Sequence, residues 1–227
     1  VITKQLHDEA CNYLPLKKSI IHILSYGICK PDDKLSISKK AFYDKYNMES
    51  SVFSIGVFSR IEEQKGQHLL IEAIRQSKHK IQLFIVGHCM DEKYKNQLEN
   101  ISSEYNLSSH ICFTGFLQSP MNYMPFFNLV VLPTYEETFG LVVAEAMLMK
   151  VPVLGSNAGG VPEIITHESN GLLFETRNYN DLQDKIDMLI ENSQLREKII
   201  DKGFNFVNKY YDYSSHFDKF ERIINTY

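Results

Sequence analysis

The segment LVVLPTYEETFGLVVAEAM, residues 129–147, joins two apolar runs through a short polar loop. The first run, LVVLP at 129–133, has the length and β-branched composition of a buried strand. The second run, GLVVAEAMLMK at 140–150, is long enough for a helix and rich in helix-forming residues. A strand, a loop and a helix in this order form half of a βαβ unit, which predicts a parallel sheet.

The same alternation of strand and helix extends to both sides of this segment. Further buried strands are predicted at 52–58, 81–87, 110–116, 151–156 and 171–174. Helices are predicted between and after them at 68–76, 91–106, 178–191 and 194–209. Strands that are apolar on both faces, with helices between them, are typical of an α/β fold with a Rossmann-like, doubly wound parallel sheet. Such sheets bind ligands beyond the carboxyl ends of their strands, so we looked for a site in the loops there.

Both ends of the chain depart from this alternation. One further strand with a turn is predicted at 19–28, and the rest of residues 1–50 resembles a linker or the edge of a preceding domain. We therefore predict a remnant or linker at 1–18, an α/β domain at 19–209 and a C-terminal helix at 210–227. Because the chain does not begin with Met, we expect it to be part of a longer protein.

The C-terminal helix carries an aromatic stripe, since Tyr213, Phe217, Phe220 and Ile224 recur at helical spacing. Such a stripe needs a covering surface. Two alternatives stay open: the helix meets a partner surface, or it folds back on its own domain.

The composition is that of an ordinary soluble globular protein, with 44% apolar and 23% charged residues. The net charge of −4 argues against bulk electrostatic binding to nucleic acid. No apolar run approaches a transmembrane length, and the N-terminus lacks the features of a signal peptide. The scattered residues Cys11, Cys29, Cys89 and Cys112 favour buried reduced thiols over disulfides or metal ligands, and hence a cytoplasmic location.

The loop after the strand at 52–58 carries two cationic side chains. Arg60 lies at the strand end, and Lys65 and Gly66 open the next helix. Two cations beside a helix N-terminus favour an anion, and a diphosphate accepts both a guanidinium fork and an ammonium. The alternative is a solvated surface loop. The glycine spacing of a P-loop is absent.

Two glutamates bracket the start of the helix that follows the strand at 129–133. Gly140 allows close approach of a ligand, and the N–H groups of Phe139, Gly140 and Leu141 begin a helix without a polar cap. Glu145 follows Gly140 by roughly 7 to 8 Å along the helix axis. Glu137 and Glu145 can therefore accept hydrogen bonds from different hydroxyl groups of one extended ligand. The alternative for Glu145 is a surface position, although its neighbours are apolar.

Two glycine-containing turns follow other strands. Gly159 and Gly160, after the strand at 151–156, allow either close approach of a ligand or a simple turn before a short helix. Gly87 ends the strand at 81–87, and we assign no role to the neighbouring His88.

Together these loops resemble a known family. The motifs SRIEEQKG, FTGF, LPTYEETFGLVVAEAM, VPVLGSNAGGVPEII and NGLLF occur in the order and approximate spacing of the C-terminal domain of retaining glycosyltransferases of family 4, the glycosyl transferases group 1 type with a GT-B fold. The resemblance covers residues 19 to 224 and implies that a nucleotide-sugar donor is bound. It also implies an acceptor-binding N-terminal domain, without which the isolated chain is expected to be inactive.

The resemblance implies a role for each candidate residue. Arg60 and Lys65 would bind the donor diphosphate in place of a metal ion, and Glu137 would contact the donor sugar; these are the candidate catalytic residues. Glu145 would hold the ribose hydroxyls. The remaining candidate donor-binding residues are Phe139, Gly140, Leu141, Phe116, Leu117 and Gly87. Backbone near Phe116 and Leu117 would meet the nucleobase. Thr138 departs from the family, in which glycine is frequent at this position.

The implied reaction is transfer of a hexose such as mannose or glucose from a UDP- or GDP-linked donor, without a further cofactor. The acceptor would be a glycan or glycolipid of bacterial envelope polysaccharide or lipopolysaccharide, made at the cytoplasmic membrane face. One alternative is a sugar-nucleotide epimerase with the same scaffold, and another is a non-catalytic nucleotide-sugar binding module. A nicotinamide dehydrogenase is disfavoured, because no GxGxxG follows a predicted strand.

Overall fold

A computed structural model describes residues 1–14, 21–31 and 37–225. Its centre is a six-stranded parallel sheet with the strand order β3-β2-β1-β4-β5-β6. The strands are β1 Phe53–Phe58, β2 Ile81–Val86, β3 Ile111–Gly115, β4 Leu129–Leu132, β5 Val153–Ser156 and β6 Leu172–Phe174. The α-helices of the described residues are α1 Lys4–Tyr13, α2 Lys39–Lys45, α3 Gln67–Gln76, α4 Glu92–Glu104, α5 Leu141–Leu148, α6 Val161–Ile164, α7 Tyr179–Glu191, α8 Ser193–Tyr210 and α9 Tyr213–Ile224.

The sheet separates two hydrophobic layers. Successive side chains of a strand point to opposite faces, so Leu83 and Ile85 of β2 lie in one layer and Phe84 lies in the other. All three side chains are fully buried. Full burial of such a side chain contributes about 1.5–3 kcal/mol. Burial on both faces therefore explains why these strands read as continuous apolar runs.

The predicted α/β fold with a doubly wound parallel sheet is confirmed. The six strands predicted from residue 52 onward are all present, and each helix predicted between and after them lies within about two residues of its predicted ends, the usual disagreement between boundary assignments. The division into 1–18, 19–209 and 210–227 stays a prediction.

The predicted strand at 19–28 is wrong for its described part, residues 21–28; residues 19 and 20 lie outside the described residues. This segment does not join the sheet. Instead Ile28 forms an isolated bridge with Asp212, and its N–H donates to the carbonyl of Tyr211 at 2.7 Å. The end of the segment thus pairs with the chain between α8 and α9, whereas the Leu24 N–H donates to the carbonyl of Val1 at 2.8 Å.

The interpretation of residues around 39–45 as a linker or domain edge is also wrong. They form α2, which Ser38 caps through its side chain. Phe42 is 1% exposed and Tyr43 is buried beside it. The Tyr43 hydroxyl lies 2.6 Å from the hydroxyl of Ser54 and 3.0 Å from the carbonyl of Phe126. Two aromatic side chains thus dock a short, otherwise polar helix onto the sheet.

We expect Phe42→Ala to lower the free energy of unfolding by about 3–5 kcal/mol, the range for truncating a buried Phe. Chemical denaturation measures this value. The control is Tyr13→Ala, because Tyr13 is 84% exposed and its loss should change stability by no more than about 0.5 kcal/mol. A cost as small as the control's would show that α2 is not part of the core.

The C-terminal helix α9 contacts the segment at 21–31, where the His216 ring lies 2.7 Å from the carbonyl of Ser25. Its aromatic stripe nevertheless remains open, with Tyr213 49% and Phe217 47% exposed. The helix therefore folds back in part and leaves its aromatic stripe half-exposed in the part of the chain that the structure describes.

The burial of the cysteines only partly follows the prediction. Cys112 is buried, but Cys29 is exposed because it lies in the segment outside the sheet, so the prediction of buried thiols is wrong for Cys29. Among the residues that the structure describes, no helix combines the length and apolar character needed to cross a bilayer.

Candidate functional site

The candidate site lies where the strand order reverses. β1 and β4 are parallel neighbours in the middle of the sheet, but the chain leaves β1 toward β2 on one side and β4 toward β5 on the other. In doubly wound sheets this point opens a crevice at the carboxyl ends of the two strands. The loops at 59–66 and 133–140 follow β1 and β4 and meet in that crevice.

The structure brings Lys65 and Glu137 into contact. The Lys65 ammonium lies 3.2 Å from a carboxylate oxygen of Glu137, and the two side chains are only 17% and 21% exposed. The other carboxylate oxygen of Glu137 accepts a hydrogen bond from the Thr138 N–H at 3.2 Å. A cation from one loop and an anion from the other thus form a partly desolvated ion pair.

Arg60 lines the same cavity but has a different partner. Its guanidinium lies 2.9 Å from the Glu62 carboxylate, and its side chain is 59% exposed. An anion that entered the cavity would therefore compete with Glu62 for Arg60 and with Glu137 for Lys65. Arg60 is the exposed partner of this pair, whereas the Glu62 side chain is only 22% exposed.

Two adjoining cavities occupy the crevice. The larger has a volume of about 550 Å³ and is lined by Gln5, Leu6, Arg60, Gln64, Lys65, Glu136, Glu137, Thr138 and Gly159. The smaller, of about 300 Å³, is lined by Ile2, Tyr26, Leu132, Glu137, Thr138, Phe139, Gly140, Leu141 and Val142. Glu137 and Thr138 line both cavities. Thr138, which is bulkier than glycine, therefore stands between the two cavities.

The N-terminus of α5 opens into the smaller cavity. Gly140 is its N-cap, with a φ of 92°, and no side chain caps the helix. The first N–H groups of α5 are thus available to a ligand. Phe139 contributes only backbone, because its ring is buried edge-on between Tyr26 and Tyr211 at 5.3 and 5.4 Å.

Glu145 does not line either cavity. It lies further along α5, half-buried, and among the described residues no hydrogen-bond partner for its carboxylate is present. Burial raises the pKa of Glu145 above its ordinary value. The predicted partial burial of this glutamate is thus observed, and its carboxylate lacks the partner that would offset the cost of burial.

The predicted nucleobase contacts follow β2 and β3, the next two strands of the sheet beyond β1. Phe116 is 59% exposed, whereas Leu117 is buried. Phe116 stacks on His88, with ring centroids 4.5 Å apart and an angle of 12° between the planes. Gly87 donates its N–H to the carbonyl of Gly115 at 3.0 Å. These residues adjoin the crevice without lining its two cavities, and nothing in the sequence suggested a role for His88.

The sequence did not suggest that α1 forms one wall of the larger cavity. Gln5 and Leu6 reach the cavity, and the backbone N–H groups of Lys4 and Gln5 donate to the two carboxylate oxygens of Glu163 at 2.8 and 2.9 Å. Thr3, which caps α1, was an available signal for a helix start. The contact with Glu163 could not be predicted from the local sequence, because its two partners lie far apart along the chain.

The glycine pair at 159–160 supports the loop that carries Glu137. Gly160 donates its N–H to the Glu137 carbonyl at 2.8 Å. Gly159 has a φ of 53°, and a Cβ there would collide with the Glu137 carbonyl oxygen. The predicted close approach is therefore between two parts of the chain, and it fixes the backbone at Glu137.

We expect Gly159→Ala to displace Glu137 and to lower the melting temperature more than Gly115→Ala does. Both glycines have a left-handed φ, but a Cβ at Gly115 would meet nothing within 4 Å. The control thus isolates the cost of the left-handed conformation, about 1–3 kcal/mol at most. Thermal unfolding of the two variants gives the comparison, and equal melting temperatures would contradict the steric argument.

Comparisons with known proteins show what the chain is similar to. A family model described as Glycosyl transferases group 1 matches residues 39–206. MJ1178, an uncharacterized glycosyltransferase of Methanocaldococcus jannaschii, is 33% identical over 176 residues, which are 77% of this chain and 47% of the relative. CapM, a capsular polysaccharide biosynthesis glycosyltransferase of Staphylococcus aureus, is 24% identical over 217 residues, 93% of this chain and 57% of CapM. The chain therefore spans about half the length of these relatives.

A solved structure shows the same fold. Alr3699/HepE of Anabaena, in complex with UDP and glucose, superposes with a TM-score of 0.88 at 24% identity, over 100% of this chain and 62% of that one. The sheet described above is thus the Rossmann-like half of the GT-B architecture. The family model covers most of the domain, including both loops of the crevice, and the chain belongs to the glycosyl transferases group 1 family.

Proposed function

We propose that this chain is the donor-binding half of a retaining glycosyltransferase of family 4, which transfers a hexose from a nucleoside diphosphate sugar. The observation that carries the proposal is the meeting of Arg60, Lys65 and Glu137 at the switch point of the sheet. Such a donor has a diphosphate on one side of its scissile bond and a sugar on the other. The two cations match the diphosphate, and the carboxylate matches the sugar.

The main catalytic task is to stabilise the negative charge that develops on the departing diphosphate. Lys65 and Arg60 exchange their carboxylate partners for phosphate oxygens when the donor binds. Glu137, released from Lys65, accepts hydrogen bonds from sugar hydroxyls, and the N–H groups at the start of α5 face the same place. The leaving phosphate assists the acceptor on the same face of the sugar, so no nucleophile from the protein is required.

The nucleoside lies further along the sheet edge. Glu145 accepts hydrogen bonds from the ribose hydroxyls, which supplies the partner that its carboxylate lacks in the structure. Phe116, Leu117 and Gly87 adjoin the base. The UDP bound to Alr3699/HepE supports a uridine donor, while GDP remains an alternative because the base would be contacted largely by backbone.

The acceptor is a glycan or glycolipid of a bacterial surface polysaccharide or lipopolysaccharide. Support comes from CapM, whose name places it in capsular polysaccharide biosynthesis. In this proposal a separate N-terminal domain binds the acceptor at the cytoplasmic face of the membrane. The isolated chain would then bind donor but have little activity.

The test is turnover of UDP- and GDP-linked glucose and mannose by the full-length protein, with and without glycolipid acceptors. The proposal predicts release of nucleoside diphosphate that depends on the acceptor, and a product that keeps the anomeric configuration of the donor. Rapid turnover of donor without acceptor, with change of a sugar stereocentre, would instead establish an epimerase. Donor binding without any turnover would establish a non-catalytic module.

A further inference from the structure

A buried glutamine lies directly behind the cationic loop. Gln67 is the first residue of α3, and its side chain is 0% exposed. Its amide nitrogen donates to the Arg60 carbonyl at 2.8 Å and to the Ser59 hydroxyl at 3.0 Å. Neither Gln67 nor these two contacts has an assigned role in donor binding.

The orientation of this amide is set by chemistry. The Arg60 carbonyl can only accept a hydrogen bond, so the side-chain nitrogen of Gln67 must face it. Among the described residues the amide oxygen of Gln67 has no hydrogen-bond partner. A buried amide that leaves its oxygen unpaired is costly for stability. A leucine or methionine would avoid that cost but would leave the Arg60 carbonyl without its side-chain donor, so the contribution of Gln67 lies in its contact with the loop.

The rest of the loop is tied to its neighbours by backbone groups. The Gln64 carbonyl accepts hydrogen bonds from the Tyr135 N–H at 2.9 Å and the Thr134 hydroxyl at 3.2 Å. These contacts fix the Lys65 end of the loop to the segment that carries Glu137. At the other end, Ile61 donates to the His88 carbonyl at 2.8 Å. The carbonyl of Arg60 itself is fixed by the side chain of Gln67.

We propose that Gln67 is a positioning residue for Arg60. By holding the Ser59–Arg60 backbone, it directs the guanidinium into the larger cavity, where Arg60 and Lys65 can grip one diphosphate. The inference rests on the proposed function, because it assumes a diphosphate there. Gln67 touches no ligand in this account and acts only through Arg60.

Gln67→Met tests the proposal in the full-length protein, because methionine keeps the length of the side chain and removes the donor. We expect the affinity for UDP or GDP, whichever binds, to fall about tenfold, or about 1.4 kcal/mol. Affinity for the corresponding nucleoside should not change. In an Arg60→Ala background the same substitution should change diphosphate affinity less than about twofold, since contacting partners are not additive.

A second buried glutamine provides the matched control. Gln82 in β2 is 2% exposed, and its side chain accepts a hydrogen bond from the Glu49 N–H at the opposite end of the sheet. Gln82→Met should lower the melting temperature without changing diphosphate affinity. Gln67→Leu serves if Gln67→Met does not fold, because leucine also lacks a donor for the Arg60 carbonyl and brings no charge into the buried position.

The outcomes separate the inference from the proposed function. If Arg60→Ala weakens diphosphate binding but the Gln67 variants do not, the inference is overturned and the proposed function stands. If Gln67→Met weakens binding equally with and without Arg60, its effect is structural and the inference is again overturned. If the full-length protein binds no nucleoside diphosphate, both fail.

Discussion

Lys65→Ala is expected to lower the rate of glycosyl transfer by about a hundredfold to a thousandfold, the usual cost of removing one group that stabilises developing charge. In the structure this ammonium is largely buried against Glu137, so its charge acts in a site with little water to screen it. Removal of the ammonium also leaves the Glu137 carboxylate without a partner. This negative charge then repels the donor diphosphate. The rate is measured with saturating donor and acceptor in the full-length protein.

The matched control for Lys65 is Lys80, which also pairs with a glutamate but precedes β2 at the opposite end of the sheet. Its ammonium lies 2.7 Å from the Glu49 carboxylate, and the side chain is 54% exposed. Lys80→Ala should leave the rate unchanged. A loss of less than about tenfold in Lys65→Ala would show that Arg60 alone supports the leaving group, contrary to the proposed mechanism.

Glu145→Gln is expected to act in opposite directions on binding and on stability. Donor affinity should fall about tenfold or more, because hydrogen bonds to a charged acceptor contribute about 1.5–3 kcal/mol. This loss of donor affinity should come only from the contacts to the ribose. Isothermal titration of the wild-type protein should therefore distinguish a nucleotide from its 2′-deoxy form, and the variant should distinguish them less. Equal discrimination by both proteins would contradict the ribose role.

The stability of Glu145→Gln should depend on pH in a defined direction. Burial raises the folded-state pKa of Glu145 above the ordinary 4.5. The folded protein then binds the proton more tightly than the unfolded chain, so the carboxylate lowers stability as pH rises through the interval between the two pKa values. The variant should be more stable than the wild type at neutral pH and equal to it below about pH 4.

An exposed glutamate controls for the change in net charge. Glu99 is 46% exposed and pairs with Lys95 at 3.4 Å on the surface of α4. Glu99→Gln should shift the unfolding free energy by no more than about 0.5 kcal/mol. If Glu145→Gln destabilises the protein at neutral pH, the carboxylate has a partner in solution and the argument from its burial is wrong.

The sequence predicted the sheet well because its central strands are apolar on both faces, and Ser59, Gly87 and Pro133 follow directly after β1, β2 and β4. It also predicted that the two cationic and acidic loops meet, since parallel topology alone brings the loops after β1 and β4 to one edge of the sheet. The arrangement within the site was less predictable. The sequence gives no indication that Lys65 pairs with Glu137 while Arg60 pairs with Glu62, because ion pairs between loops depend on loop conformation.

The features that sequence reasoning missed depend on contacts between distant parts of the chain. Phe42 and Tyr43 lie in a segment of ordinary polar composition. Their place in the core becomes apparent only in the folded structure, where they pack against the sheet. The segment at 21–28 has the apolar character of a strand, yet it pairs with the chain before α9. Gln67 looks like an ordinary helix residue until its contact with the Arg60 carbonyl is seen.

The central claim is that the crevice between the β1 and β4 loops binds a nucleoside diphosphate. Calorimetric titration of the full-length protein with UDP, GDP and ADP, each paired with its nucleoside, tests it most directly. We predict that one diphosphate binds, that its nucleoside binds at least about tenfold more weakly, and that Lys65→Ala abolishes this difference. Failure of all three diphosphates to bind, or binding that Lys65→Ala leaves unchanged, would contradict the claim.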